Sequence, residues 1–327
     1  MARTPYIFPF QGLRIDNSIH FEGQVIHVSN SGNVANPDDS LWKNLKRTYQ
    51  LYTPTKIKKK ERVLKIIIDS KEITTPLDKY GYFHIIIEID ETIIRELHKV
   101  EFYLMNKQIF INKEIGNSSL IINKDDFNIG VISDIDDTII VSHSTNNIRK
   151  SALVGFKNAF SRKVVNETKE LYDFLDSKAY QFFYVSNSET NLYLLIKWIL
   201  KLNGLPDGPI YLKNIKSYRN IFKNKKRKTF LEKYNHKINR IEKLFEYFPI
   251  KKFVLIGDSS QSDPEIYKYI SLKHPDRIKA IFIRNITKKA RKINLELISE
   301  ELKAIGIPVF CYSKNDSIKD MIKDIDI

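Results

Sequence analysis

The run Gly130-Val131-Ile132-Ser133-Asp134-Ile135-Asp136-Asp137-Thr138-Ile139-Ile140 passes from β-branched apolar residues to three carboxylates without Gly, Asn or Pro between them. A short apolar run of this kind reads as a strand buried on both faces, and such a strand ordinarily ends in turn residues, not acids. In an open α/β sheet, ligands bind outside the carboxyl ends of the strands. Residues two apart project to the same side, so Asp134 and Asp136 are expected to face one crevice together. Two carboxylates that close share either a proton or a hard, oxygen-preferring cation. The plainer alternative is a solvated turn in which Asp136 or Asp137 caps the next helix, and the residues downstream argue against it.

Beyond Asp134, helix patterns alternate with short apolar strands, the signature of βαβ units in a mainly parallel sheet. The spacing predicts a helix over 166–175, a strand over 182–185 ending at Ser186-Asn187-Ser188, and a buried helix over 191–202 with Gly204 at a left-handed cap. A strand over 209–212 comes next. A long helix pattern then runs through Ile238, Ile241, Leu244, Phe245 and Phe248 to Pro249, with Lys237 near its start. Further strands are expected at 253–256, ending in Gly257-Asp258, and at 281–283, ending in Arg284; between them Asp263-Pro264-Glu265 opens a helix. Before residue 111 the pattern is different. Runs at 21–28, 63–68, 82–89 and 100–104 suggest an antiparallel, β-sandwich-like domain without any grouping of acids, histidines or a nucleophile. The expected division is therefore a β-rich domain over 1–110, a linker over 111–126 and an α/β domain over 127–327, and 327 residues suffice for two cores.

A formal charge of +15 alongside 42% hydrophobic residues describes a folded, basic protein whose partners are anionic. Basic runs stand at 56–62, 223–228 and 288–292. Cys311 is the single thiol, which excludes internal disulfides and any zinc site built from several thiolates. No apolar run is long enough to span a bilayer and the start lacks the apolar core of a signal peptide, so a cytoplasmic protein is expected.

Asp134 and Asp136, Ser186, Lys237, and Asp258 with Asp263 together resemble the haloacid-dehalogenase superfamily of phosphotransferases. Its first motif, Asp-x-Asp-x-Thr, stands as Asp134 to Thr138; its second, a Ser after an apolar strand, as Ser186; its fourth as Gly257-Asp258 followed by Asp263. More narrowly, Tyr184-Val185-Ser186-Asn187-Ser188, Gly208-Pro209-Ile210, Leu255-Ile256-Gly257-Asp258-Ser259 and Asp263-Pro264-Glu265-Ile266-Tyr267 resemble the actin-patch-type phosphatidate phosphatase family. In that family a Lys precedes the helix leading to an aromatic-Pro pair, which selects Lys237 before Phe248-Pro249. Ser260 stands where the family often has Gly.

The resemblance implies a Rossmann-like phosphatase domain and a magnesium-dependent phosphomonoesterase acting through an aspartyl-phosphate. Asp134 would be the nucleophile and Asp136 the acid/base, which the dehalogenases lack at that place. Thr138, Ser186, Asn187 and Lys237 would contact phosphate, and Asp134, Asp136, Asp258 and Asp263 would hold Mg2+. Asp263 has a second reading as the cap of the helix at Pro264. The stretch from Thr138 to Ser186 leaves room for little or no cap, so an open site is expected. Such a site suits phosphatidate or a related phospholipid, with peripheral contact to an anionic membrane. The alternatives are a polynucleotide-end or phosphoprotein phosphatase, nucleic acid not being excluded, and a non-catalytic anion-binding module. Arg284 is read as pairing with a surface acid, outside the site.

Overall fold

The computed structural model describes residues 3–29, 56–68, 71–88, 100–111, 122–123, 127–139, 165–214, 229–286, 289–314 and 316–322. The chain forms two compact units, one built mainly on residues 1–126 and the other mainly on 127–327. The basic run 223–228 and the stretch 140–164, on which the absence of a cap rests, lie outside the described residues.

In the first unit, strands β1 (Arg3–Ile15), β2 (Ser18–Ser29), β3 (Val63–Ile68), β4 (Lys71–Pro76), β5 (Tyr82–Glu88), β6 (Val100–Leu104) and β7 (Lys107–Ile111) follow the order β4-β3-β6-β7-β1-β2-β5. Two antiparallel halves meet at a short parallel seam, Tyr6 against Phe110 and Ile7 against Ile111. Period-two burial explains the layer: Leu64, Ile66 and Ile68 of β3 turn inward with Ile7, Ile19, Phe21 and Phe102, and the rings of Phe21 and Phe102 meet edge to face. Gly81 is required in the turn before β5, because at φ +86° a Cβ there would lie 2.1 Å from the Val25 carbonyl oxygen. β1 escapes the sequence pattern because Pro5, Pro9 and Gly12 interrupt its alternation, and its register against β2 shifts between Pro9 and Gln11. Inside the stretch expected as a linker, β8 (Ile122–Asn123) pairs with β1. The basic residues Lys58, Lys59 and Lys60 are exposed, as a solvated loop requires.

The second unit is the α/β fold expected. Its elements are β9 (Ile129–Ser133), α1 (Asn166–Ser177), β10 (Gln181–Glu189), α2 (Tyr193–Leu202), β11 (Ile210–Lys213), α3 (Phe230–Tyr247), β12 (Lys252–Asp258), α4 (Asp263–Lys273), β13 (Ile278–Arg284), α5 (Lys289–Ala304), β14 (Val309–Tyr312) and α6 (Ile318–Ile322). The sheet runs β11-β10-β9-β12-β13-β14 with every pairing parallel. From β9 the chain builds outward through β10 and β11, then returns to the other side of β9 for β12. The strand order therefore reverses between β9 and β12, and the crevice opens at their carboxyl ends.

Both central strands are buried, with Val131, Ile132, Val254, Leu255 and Ile256 fully enclosed; each such side chain contributes about 1.5–3 kcal/mol by leaving water. At the opposite edge, Arg277 donates to the carbonyls of Phe245, Phe248 and Lys251 and closes the helix-to-strand turn there. Gly204 adopts the expected left-handed conformation at φ +58°. The sequence pattern as read stops at Arg284. Among the described side chains of α5 the buried apolar ones are Leu295, Ile298 and Leu302, a stripe too thin to stand out among the helix's charged residues.

Candidate active site

Asp134 follows the last residue of β9. Its backbone N–H donates to Ile256 O at 2.8 Å, so the ladder with β12 carries on through the nucleophile candidate itself. That fixes Asp134 beside Asp258, the last residue of β12. Asp263 opens α4 immediately after the loop from β12. Gly257 makes this possible, since a Cβ at that position would stand 2.5 Å from Asp263 Oδ2 and 2.7 Å from its Cβ. Lys237 arrives from α3, on the same stripe as the buried Ile241, Leu244 and Phe248, at spacings of four, three and four residues.

These four side chains meet in one buried cluster. Carboxylate oxygens of Asp134, Asp258 and Asp263 lie within 4.8 Å of one another, and Lys237, itself fully enclosed, is 2.9 Å from Asp134 Oδ1 and bonded to Asp263 Oδ1. Tyr267 lies beneath the ammonium, ring centroid 5.8 Å away, its hydroxyl donating to Ile256 O. Burial opposes the charge on Lys237, but Asp134 and Asp263 more than offset it and hold its pKa above that of free lysine. Burial pushes the Asp134 carboxyl well above the usual carboxylate range, as do Asp263, Asp136 and Asp258, against the pull of Lys237. Asp258 is pushed up to about 7, by burial first and then by Asp263, while hydrogen bonds from Ser260 draw it down.

Three carboxylates against one ammonium leave the cluster short of positive charge, and the unsatisfied atoms show where it is wanted. Asp134 Oδ2 and Asp258 Oδ2 are buried without a hydrogen-bond partner. Both Asp263 oxygens are engaged, Oδ1 by Lys237 and Oδ2 by the Asp258 N–H at 3.3 Å. The donor set, all carboxylate and without thiolate or imidazole, fits a hard cation, with Asp134 and Asp258 offering the open ligand atoms and Asp263 orienting Lys237. Asp263 makes no cap of the helix it opens: the capping position is Ser262, without a side-chain cap bond.

Asp136 stands outside this group. Its Oδ2 accepts from Ser186 Oγ at 2.9 Å and from Ser188 Oγ at 2.6 Å, and Ser186 Oγ in turn accepts the Ser188 N–H. Strand alternation puts both serines on one side of β10 and turns the half-buried Asn187 to the other, so Asn187 does not join them. Thr138 Oγ1 is buried without a partner. Asp137 takes the left-handed conformation at φ +60°, a cost on the order of 1–2 kcal/mol for a non-glycine residue. Ser188 and Arg284 are not among the site residues expected from the sequence. Ser188 joins Ser186 on Asp136 as the second hydroxyl of a Ser-x-Ser pair on one strand, and Arg284, expected to pair with a surface acid, instead donates to the Asp137 carbonyl.

Residues 129–285 match the family described as the catalytic domain of phosphatidate phosphatase APP1. Phosphatidate phosphatase APP1 of Saccharomyces cerevisiae is 37% identical over 166 residues, which is 48% of this chain and 26% of that protein. The chain thus spans about a quarter of the curated relative it matches. Among solved structures, it aligns over 59% of its length with 48% of a chain in the Pnkp1/Rnl/Hen1 complex, at a TM-score of 0.32 and 11% identity. It aligns over 60% with 83% of cytosolic 5′-nucleotidase IIIB bound to cytidine, at a TM-score of 0.31 and 9% identity.

Proposed function

We propose, from the premise that residues 129–285 resemble the catalytic domain of phosphatidate phosphatase APP1, that this chain is a magnesium-dependent phosphomonoesterase. It acts through an aspartyl-phosphate on phosphatidate or a related phospholipid. The observation that carries the reading is the buried Asp134–Lys237–Asp263–Asp258 cluster at the point where the strand order reverses, with Asp136 held separately by two hydroxyls.

A phosphate monoester dianion repels a carboxylate, so charge must be cancelled before Asp134 can reach phosphorus. Lys237 supplies part of that charge, and Asp263 aims its ammonium at Asp134. Magnesium, when held by Asp134 and Asp258 with Asp263 behind them, supplies the rest. Asp134 forms an O–P bond while the bond from phosphorus to the leaving oxygen breaks. Ser186 and Ser188 both donate to Asp136 Oδ2, so the proton given to the leaving oxygen is carried on Oδ1. A water then attacks phosphorus, returns its proton to Asp136 Oδ1, and frees Asp134 as the acyl-phosphate P–O bond breaks.

Phosphate release from a panel of phospholipids, polynucleotide ends, phosphopeptides and nucleotides, with magnesium and after chelation, tests the reading. Release from phosphatidate that needs magnesium and vanishes in a folded Asp134→Asn variant is expected. Full activity in that variant or in metal-free protein would remove the mechanism, and activity confined to nucleic-acid ends or phosphopeptides would replace the substrate class.

A further inference from the structure

Arg284 is the last residue of β13, in register with Asp258 on β12. Its own carbonyl accepts the Ser259 N–H at 2.9 Å, and Asn285 N donates to Tyr312 O at 2.7 Å, so its backbone is tied to the strand ends on both sides. From this anchored place the half-buried side chain reaches the loop that follows β9, where Nη1 donates to the Asp137 carbonyl at 2.6 Å. Asp137 directly follows Asp136 and holds the left-handed conformation that turns the chain there.

Across the same turn the Ile139 N–H donates to the Ile135 carbonyl at 3.0 Å, Ser260 Oγ reaches Asp137 Oδ2 at 3.4 Å and Gln261 Nε2 reaches the Asp136 carbonyl at 3.5 Å. A left-handed non-glycine residue persists only where its surroundings over-determine it, and the short, charge-assisted bond from Arg284 restrains the Asp137 carbonyl directly. The peptide that Arg284 grips sets the direction in which Asp136 leaves the backbone. Ser186 and Ser188 grip the other end of the same residue.

We infer that Arg284 is a positioning residue for Asp136, clamping the Asp137 turn so that the Asp136 carboxyl meets the leaving oxygen; this rests on the phosphatase reading above. The guanidinium acts by aim rather than by touching substrate, and its planar fork suits the task better than the point charge of a lysine. The consequence falls on proton transfer. An alkyl phosphate needs its leaving oxygen protonated, whereas a nitrophenyl ester departs without an acid.

The test compares Arg284→Ala with the wild-type chain on an alkyl phosphate and on a nitrophenyl phosphate. Arg284→Ala is expected to lower kcat on the alkyl ester about 10²-fold, the scale of a 1 Å misplacement, with KM within about threefold and a much smaller loss on the nitrophenyl ester. Methylguanidine should restore part of the alkyl rate. In an Asp136→Asn background, Arg284→Ala should add nothing on the alkyl ester. Arg277→Ala, which removes a guanidinium that caps carbonyls at the opposite edge of the sheet, should lower Tm and leave the ratio of the two rates alone. If Arg284→Ala does not fold, Arg284→Lys carries the same comparison, and the ratio must still shift. Equal losses on both esters, a raised KM with kcat intact, or full additivity with Asp136→Asn overturns the inference. A wild-type chain without magnesium-dependent phosphatase activity, or an undiminished Asp136→Asn, overturns the phosphatase reading and this inference with it. A disabled Asp136→Asn beside an unaffected Arg284→Ala overturns the inference alone.

Discussion

Lys237 is a fully enclosed cation between two enclosed carboxylates, and its removal leaves charges that burial cannot tolerate. Lys237→Met is therefore expected to lower the unfolding free energy of the metal-free protein by about 3–5 kcal/mol, read from urea titration. A loss smaller than about 1 kcal/mol, the scale of an exposed pair, would contradict this placement of Lys237. Asp258 gives a prediction in pH. Its folded-state pKa of about 7 lies above the ordinary 3.8. The native state thus holds a proton that the unfolded chain releases first, and the linkage has one sign. The stabilisation from Asp258 is complete below about pH 4, declines between about pH 4 and 7, and is gone above that. Chelated protein unfolded across this range should show the decline, and Asp258→Asn should make it shallower without abolishing it, because the raised Asp134 carboxyl contributes with the same sign. Magnesium reverses the preference by favouring the ionised carboxyl, so its stabilising effect should grow with pH through the same window.

At the scale of the element, the site depends on how closely two pieces of backbone approach. β12 can end under Asp263 only because Gly257 has no Cβ. Gly257→Ala should therefore displace the Asp263 carboxylate from Lys237 and from the Asp258 N–H. The expected result is loss of most phosphatase activity and weaker magnesium binding by calorimetry, with the far-UV spectrum retained; unchanged metal affinity would mean the loop absorbs the methyl group freely. Legibility in the sequence follows the same physics. Three carboxylates crowded at the end of a strand buried on both faces contradict its apolar pattern, and such contradictions mark functional positions. Lys237 is singled out by the resemblance alone, as the Lys ahead of Phe248-Pro249, because a lysine near the start of a helix pattern otherwise reads as part of a solvated face. Arg284 and Ser188 are not legible in this way, because Arg or Ser at a strand end violates nothing until the partner, Asp137 or Asp136, is seen in space. β1 was hidden by prolines that a strand tolerates only at a bulge or edge.

At the scale of the whole molecule, the crossovers of the second unit leave the carboxyl ends of its strands, the edge that bears the site. The run 223–228 belongs to the segment joining β11 to α3, and residues 289–292 open α5 just after β13. Each Lys or Arg near an anionic bilayer is worth about 1 kcal/mol. Replacing Lys223, Lys225, Lys226, Arg227 and Lys228 by Gln should weaken binding to phosphatidate-containing liposomes and slow their hydrolysis, while a small soluble ester is turned over as before. High salt should have the same effect, since exposed charges are screened over about 10 Å. Equal loss on both substrates would place the run in the fold or the site instead. Among the described residues, no helix is long and apolar enough to cross a membrane. The reversal of strand order between β9 and β12 also bears on how the molecule comes into being. β9 is synthesised early, and β12, its neighbour in the sheet, only three crossovers later. Parallel pairings over such sequence distances are slow to close, and a nascent chain folds from its N-terminal end. On the ribosome, then, Asp134 exists long before Asp258 and Asp263, and a chain stalled short of β12 holds that carboxylate without the cluster it belongs to, however well its earlier strands have paired.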